Sequence, residues 1–154
     1  MRNKDFLELT RIISEMSEVA SLFDVTPSVN FTRKRLLPFE ETVNLILGMA
    51  GGSLNRELYD HFKSTSHIPT ASAFVQARDK ILPEAFQFLF HEYNEHLKSN
   101  KTYRGYSLYA ADGTDLNIPT NPHDTETYFE QGYNQLHINA LYDLINRAYI
   151  DAEI

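Results

Sequence analysis

An α+β fold, helices first and antiparallel strands last, is what this sequence predicts, on three observations. Apolar residues recur at three- and four-residue steps through most of the first hundred positions, the spacing of one helix face. Beyond residue 105 the period falls to two, the spacing of one strand face. The charge also changes: from residue 108 onward eight acids meet one base, Arg147, whereas the first 107 residues hold 13 acids and 13 bases. Segregated helices and strands favour α+β or separate lobes over a doubly wound sheet. The expected division is a helical domain over residues 1–100 and the start of a second domain over 101–154.

The first helix follows from Phe6, Leu9, Ile13, Met16, Ala20 and Phe23, which share one face. "DVTPSVNFTRKRLLP" reads as a connection, and "FEETVNLILGMA" as a second helix ended by Gly51-Gly52. "SLNRELYDHF" follows with Ser53 as N-cap and Leu54, Leu58 and Phe62 inward. "PTASAFVQARDKI" is the fourth helix. "PEAFQFLFHEYNEHLKSN" is the fifth, opening at Pro83 and burying Phe86, Leu89, Phe90, Tyr93 and Leu97.

In "QLHINALYDL" one strand face carries Leu136, Ile138, Ala140 and Tyr142, and the other His137, Asn139, Leu141 and Asp143. "RAYIDAEI" continues the alternation, so the two runs form a hairpin over Leu144–Arg147, with "YSLYAA" as a third strand beside them. The sequence stops at Ile154 inside the last strand pattern, without a closing turn or a covering helix. On this reading the chain is cut short.

Composition narrows the function classes. The 154 residues, 42% hydrophobic, suffice for one ordinary core or two small ones. The absence of cysteine excludes disulfides and thiolate zinc sites and fits a reducing compartment. The N-terminus alternates charged and apolar residues and lacks the unbroken apolar run of a signal peptide or membrane span. A soluble cytoplasmic protein with no membrane contact is expected. The net charge of -7 lies in the last third, where it would repel DNA phosphates unless cations intervene. A solvated acidic surface is the plain alternative.

The histidines offer no metal pattern. His91 and His96 in "HEYNEH" are five apart, roughly 140° around a helix, so they do not share a face as a metalloprotease pair does. His61, His67 and His137 stand without further ligand clusters. No glycine-rich phosphate loop or nucleophile elbow occurs.

The run "YSLYAADGTDLNIPTNP" poses the main question, because a strand-like stretch meets Asp112-Gly113-Thr114-Asp115. Asp-Gly is a common hairpin turn, with glycine supplying positive φ. The alternative is a carboxylate held at the end of a buried strand, the position of a metal ligand. A calcium loop of the EF-hand type fails, since Thr114 and Leu116 stand where oxygen ligands belong. Asp115 reads as an exposed loop acid or a supporting residue.

"LYAADGTDLNIPTNPHDTETYF" and "GYNQLHINALYDLINRAYIDAEI" resemble the start of the catalytic domain of DDE insertion-sequence transposases, in the bacterial group whose first catalytic Asp lies in a D-G-T or D-G-S motif. "RLLPFEETVNLILGMAGGSLNRELYDHF" and "TASAFVQARDKILPEAF" resemble that group's helical N-terminal domain. The likeness covers the chain from about residue 30 onward and rests on the order of these blocks. It implies a ribonuclease-H-like domain opening with three antiparallel strands, here truncated, with Asp112 as catalytic residue and metal ligand. The family completes its site with a second Asp after a later strand and a Glu on a C-terminal helix, which together hold magnesium or manganese. Asp143 and Asp151 lie in strands where the family places no such residue. Two metal ions roughly 4 Å apart activate the attacking oxygen and stabilise the leaving one in phosphodiester cleavage. The implied partner is DNA at the element ends, with a homodimer in the complete protein and a fragment inactive by itself.

Within the first domain, "SLNRELYDHF" and "IPTASAFVQARDKI" resemble a helix-turn-helix. A second helix starting at Thr70 would present Ser72, Gln76 and Arg78 or Lys80 to DNA, with Phe74 and Ile81 inward. Arg33, Lys34 and Arg35 form a short basic run suited to phosphates. A non-enzymatic DNA-binding protein or transposase remnant is the rival reading, and a helical interaction protein without DNA affinity a third.

Overall fold

The computed structural model describes residues 3–27, 29–32, 35–97, 101–129 and 132–153. Among them the chain is α+β: helices α1 (Asn3–Glu18), α2 (Phe39–Gly48), α3 (Leu54–Phe62), α4 (Ala71–Arg78) and α5 (Glu84–Leu97) precede strands β1 (Tyr109–Ile118), β2 (Tyr128–Phe129), β3 (Tyr133–Asp143) and β4 (Ala148–Glu153). A 3-10 turn at Ala20–Phe23 follows α1. No helix among the described residues is long and apolar enough to cross a membrane. The chain divides into two compact units, Met1–Tyr93 and Asn94–Ile154, and the division falls in the last turns of α5.

The helical unit has two apolar clusters, and α2 contributes to both. Phe39 and Val43 of α2 join Ile12, Ile13 and Met16 of α1, Phe23, Ile81, and Ala85 and Leu89 of α5. Leu45 joins Leu37, Leu58 and Phe62 of α3, and Phe74 and Ala77 of α4. The face expected of α1 is corrected at one end: Phe6 is exposed and Ile12 is buried. Ser53 does occupy the N-cap of α3, but its side chain makes no capping bond. Glu57 Oε1 instead accepts from the amides of Gly52 and Ala50, which places an acid against the positive end of the helix. One turn further along α3, His61 Nε2 meets Glu41 Oε1 at 2.7 Å and ties α3 to α2.

The eight-residue segment 63–70 separates α3 from α4, longer than the three- or four-residue turn of a helix-turn-helix. Thr70 caps α4 by accepting from Ala73 N at 3.1 Å. After α4, an antiparallel bridge of Asp24 with Ile81 fixes the chain: Val25 N donates to Lys80 O and Leu82 N to Phe23 O. Asp24 is buried and accepts from Thr26 N and Asn30 Nδ2, so its carboxylate orders the segment that follows.

In the second unit β3 is the centre of an antiparallel sheet. It pairs with β1 from Tyr109↔Asp143 to Ile118↔Asn134. On its other side β2 takes one end, Tyr128↔Asn134, and β4 the other, Asn139↔Glu153, with a bulge between Leu141 and Tyr142. The strand expected over residues 106–111 begins later and runs further. Tyr103 and Tyr106 instead bracket a two-residue turn, with Arg104 at φ +52° and Gly105 at φ +85°, the positive values a type I′ turn requires.

Every fully buried apolar side chain among the described residues lies at or before Leu89; in the sheet only Asn134 and Asp143 are buried. The sheet is held by its ladder and two polar networks. Asp143 Oδ1 accepts from the amides of Ile145 and Asn146, and its Oδ2 from Asn146 Nδ2, closing the β3–β4 turn. These bonds, those of Asn146 foremost, hold its carboxyl below the usual range. The second network, around Asn134, closes the loop between β1 and β2.

Candidate functional site

Asp112 lies in the middle of β1, an exposed strand, and this removes both the turn reading of Asp112-Gly113 and the expectation of a carboxylate at the end of a buried strand. The strand passes straight through, pairing Asp112 with Ala140 and Gly113 with Asn139. Ladder and side-chain alternation put Ala110, Asp112, Thr114 and Leu116 on one face with Ile138, Ala140 and Tyr142. Asp112 is exposed, and its Oδ1 accepts from the amide of Gly113 at 3.0 Å. It has no ion-pair partner among the described residues. A carboxylate fixed on a strand between small neighbours is rigidly placed and free to bind a cation.

Gly113 serves the opposite face. A Cβ there would stand 3.0 Å from Cε1 and Nε2 of His137 and 3.2 Å from Asn139 Oδ1, so glycine lets that ring lie across the strand where a larger residue would push it aside by a few tenths of an ångström. The ring is held by Asp115, whose Oδ1 meets His137 Nδ1 at 2.7 Å, with Asn139 Oδ1 at 3.3 Å from Nε2. Asp115 is therefore a strand residue paired across the ladder rather than a loop acid. Its hydrogen bond raises the His137 pKa. A raised folded-state value means that this contribution to stability is complete at pH below the unfolded value of histidine and disappears as pH rises through the folded one. In Asp115→Asn, His137 should titrate closer to ordinary histidine, and Gly113→Ala should act the same way by displacing the ring. An NMR titration of the His137 ring protons that is unchanged in both variants would remove the pair from this account.

The metal expectation meets a limit. Among the described residues no group of three or more His, Cys, Asp or Glu could hold a metal ion. The row across the sheet from Asp112 runs to Ala140 and then Ala152, neither of which offers a ligand. Asp143 is committed to its turn, and Asp151 donates no second carboxylate to this face, since it pairs with Leu141 one row away. The residues present fit one ligand of a magnesium or manganese centre and do not fit the whole centre, because one carboxylate does not hold such an ion against water.

In the helical unit the sequence-derived DNA residues separate into two groups. Arg35, Gln76 and Lys80 come together along a groove of about 470 Å³ between the segment before α2 and α4. Ser72 stands one turn before Gln76, whose Nε2 donates to its hydroxyl at 3.4 Å. Arg78 points elsewhere: two residues past Gln76 it is turned by roughly 200° around the helix, and it pairs with Asp79 at 2.8 Å. Lys80 lies beyond the end of α4 and is brought to the groove by the bridge to residues 24 and 25 rather than by helical periodicity. Arg33 and Lys34 lie outside the described residues. Neither Arg35 nor Lys80 has an ion-pair partner among the described residues.

Sequence reasoning started the fourth helix at Thr70 but missed that this residue caps α4 and lines the groove, and it missed the pairs Asp115–His137 and Asn134–Asn121. The first could have been read from a threonine three residues before Ala73 at a helix start. The other two depend on the register of β1 against β3. The geometry thus defines the chain as an α+β protein with a carboxylate in mid-strand and a cationic groove on a short helix. Compared with family models, curated proteins and solved structures, the chain matches none.

Proposed function

We propose that the chain is the N-terminal part of a DDE-type DNA transposase, with residues 1–100 contacting DNA at the element ends and residues 101–154 opening a ribonuclease-H-like catalytic domain. The observation that carries this reading is Asp112, exposed in the middle of the first strand of the antiparallel meander β1, β3, β4 and free of any ion pair among the described residues. Exposed apolar side chains on the sheet unit, Leu116, Tyr133 and Tyr149, support it, since a ribonuclease-H-like domain packs helices on such a sheet. On this reading Asp112 is a metal ligand whose partner acids come from outside these residues. The complete protein is a cytoplasmic homodimer that cuts and joins DNA, and this chain alone is inactive.

Purified chain should leave supercoiled plasmid intact in magnesium, while manganese broadens the Gly113 amide resonance at concentrations on the order of millimolar. Asp112→Asn, which keeps the bond to the Gly113 amide, should abolish the broadening. Plasmid nicking that depends on Asp112 would overturn the inactivity, and manganese broadening that ignores Asp112→Asn would overturn its assignment as ligand. The rival reading, a non-enzymatic DNA-binding protein, is favoured by Arg35 and Lys80, which have no ion-pair partner among the described residues. It predicts a gel shift unaffected by Asp112→Ala and no manganese effect at Gly113.

A further inference from the structure

The groove beside α4 continues into a second one. That neighbour, of about 510 Å³, is lined by Asn30, Phe31 and Thr32, and it shares Arg35, Leu37 and Lys80 with the first. The two cations therefore stand where the grooves meet, and among the described residues no Asp or Glu lines either one. This is a local excess of positive charge on a chain of net charge -7.

We propose that the joined grooves bind one strand of single-stranded nucleic acid, with Arg35 and Lys80 on its phosphates. The inference rests on the DNA-binding half of the function proposed above and is independent of Asp112. A duplex is met by a convex element that enters its major groove, whereas a concave track with cations and apolar walls accepts an unpaired strand. Phe31, Leu36 and Ile68 supply apolar surface for bases. The amides add a distinction. Asn30 uses its Nδ2 on Asp24 and Gln76 its Nε2 on Ser72, which leaves both side-chain oxygens as acceptors. Acceptors suit the N–H donors on base edges, such as N3–H of thymine, and do not suit the carboxylates of an acidic peptide.

Fluorescence anisotropy with labelled dT15 tests the proposal on the whole chain. Wild type should bind, and the double variant Arg35→Gln/Lys80→Gln should bind at least about tenfold more weakly, with a salt slope shallower by about 1.4 for two lost phosphate contacts. Gln76→Ala, at an exposed position, should weaken binding by roughly three- to tenfold with no change in thermal melting. Equal dT15 affinity in wild type and the double variant would overturn the proposal, as would a polyglutamate peptide that competes as well as unlabelled dT15. A blunt duplex provides the separation from the broader reading. If wild type binds duplex but not dT15, the groove assignment fails and DNA binding stands; if it binds neither, both fail.

Discussion

Replacing Asn134 by Leu is expected to destabilise the sheet unit by about 3–5 kcal/mol, because the buried centre of the network is lost and several part-buried polar groups lose partners at once. Asn134 is 0% exposed and sits where β1, β2 and β3 meet, paired with both Ile118 and Tyr128. Its Oδ1 accepts from Asn121 N at 2.6 Å, and its Nδ2 donates to Asn121 O at 3.0 Å and Thr127 Oγ1 at 2.9 Å. Thr127 in turn donates to Asp124 Oδ2 at 2.7 Å. Leucine has a similar branched shape, though it is bulkier, and satisfies none of these atoms, and an unsatisfied buried group costs more than its bond contributed. Asn134→Asp is a sharper control, since it keeps the shape and the acceptor while removing the donor and adding a buried charge. Hydrogen exchange at the Asn121 and Gln135 amides reads the effect, Gln135 N being bonded to Thr127 O. Protection there equal to wild type in Asn134→Leu would show that the loop is held by something other than this side chain.

Phe39→Ala should cost the helical unit a similar amount, about 3–5 kcal/mol, through lost burial and the cavity left behind. Phe39 is 1% exposed; its ring stacks on Phe23 at 6.0 Å and meets Phe31 edge-on at 5.7 Å. Phe31 has φ +50°, a left-handed conformation that a bulky residue adopts only when its surroundings impose it. Removing the Phe39 ring takes away that support, so Phe31 should relax and one wall of the second groove should go with it. Two readouts follow. Urea unfolding followed through exchange of α2 amides should show the loss of stability, with Phe39→Leu costing less than about 1.5 kcal/mol. Binding of dT15 should weaken in Phe39→Ala even under conditions where the unit remains folded. A stability loss below about 1 kcal/mol would mean that the helical core is not organised around this ring.

The helices were legible because an amphipathic face repeats within one element. Leu58, Phe62, Phe74 and Leu89 are buried where the three- and four-residue spacing placed them, whereas Phe86, Phe90, Tyr93 and Leu97, expected inward with Leu89, are only half-buried. Phe6 failed because spacing names a face but not its length, and the α1 cluster ends before its first turn. In the strands the alternation of β3 and the hairpin over Leu144–Arg147 were also readable. The Asp-Gly step was ambiguous for a physical reason. Glycine is favoured both where φ is positive and where another group approaches the backbone, and two letters do not distinguish these cases. Here the second applies, and the approaching group, His137, lies 24 positions away in sequence.

The amino-acid sequence alone determined the order of elements, the apolar faces of the helices, the alternation of the central strand and the uneven charge, because each depends on neighbours within a few residues. Tertiary structure decided which of the candidate residues meet. It drew Arg35 to Lys80 through the bridge at residues 24 and 81, turned Arg78 away, and set Asp112 and His137 on opposite faces of one sheet. Those outcomes follow from chain crossings and strand register, and a shift of one residue in register would have exchanged the two faces.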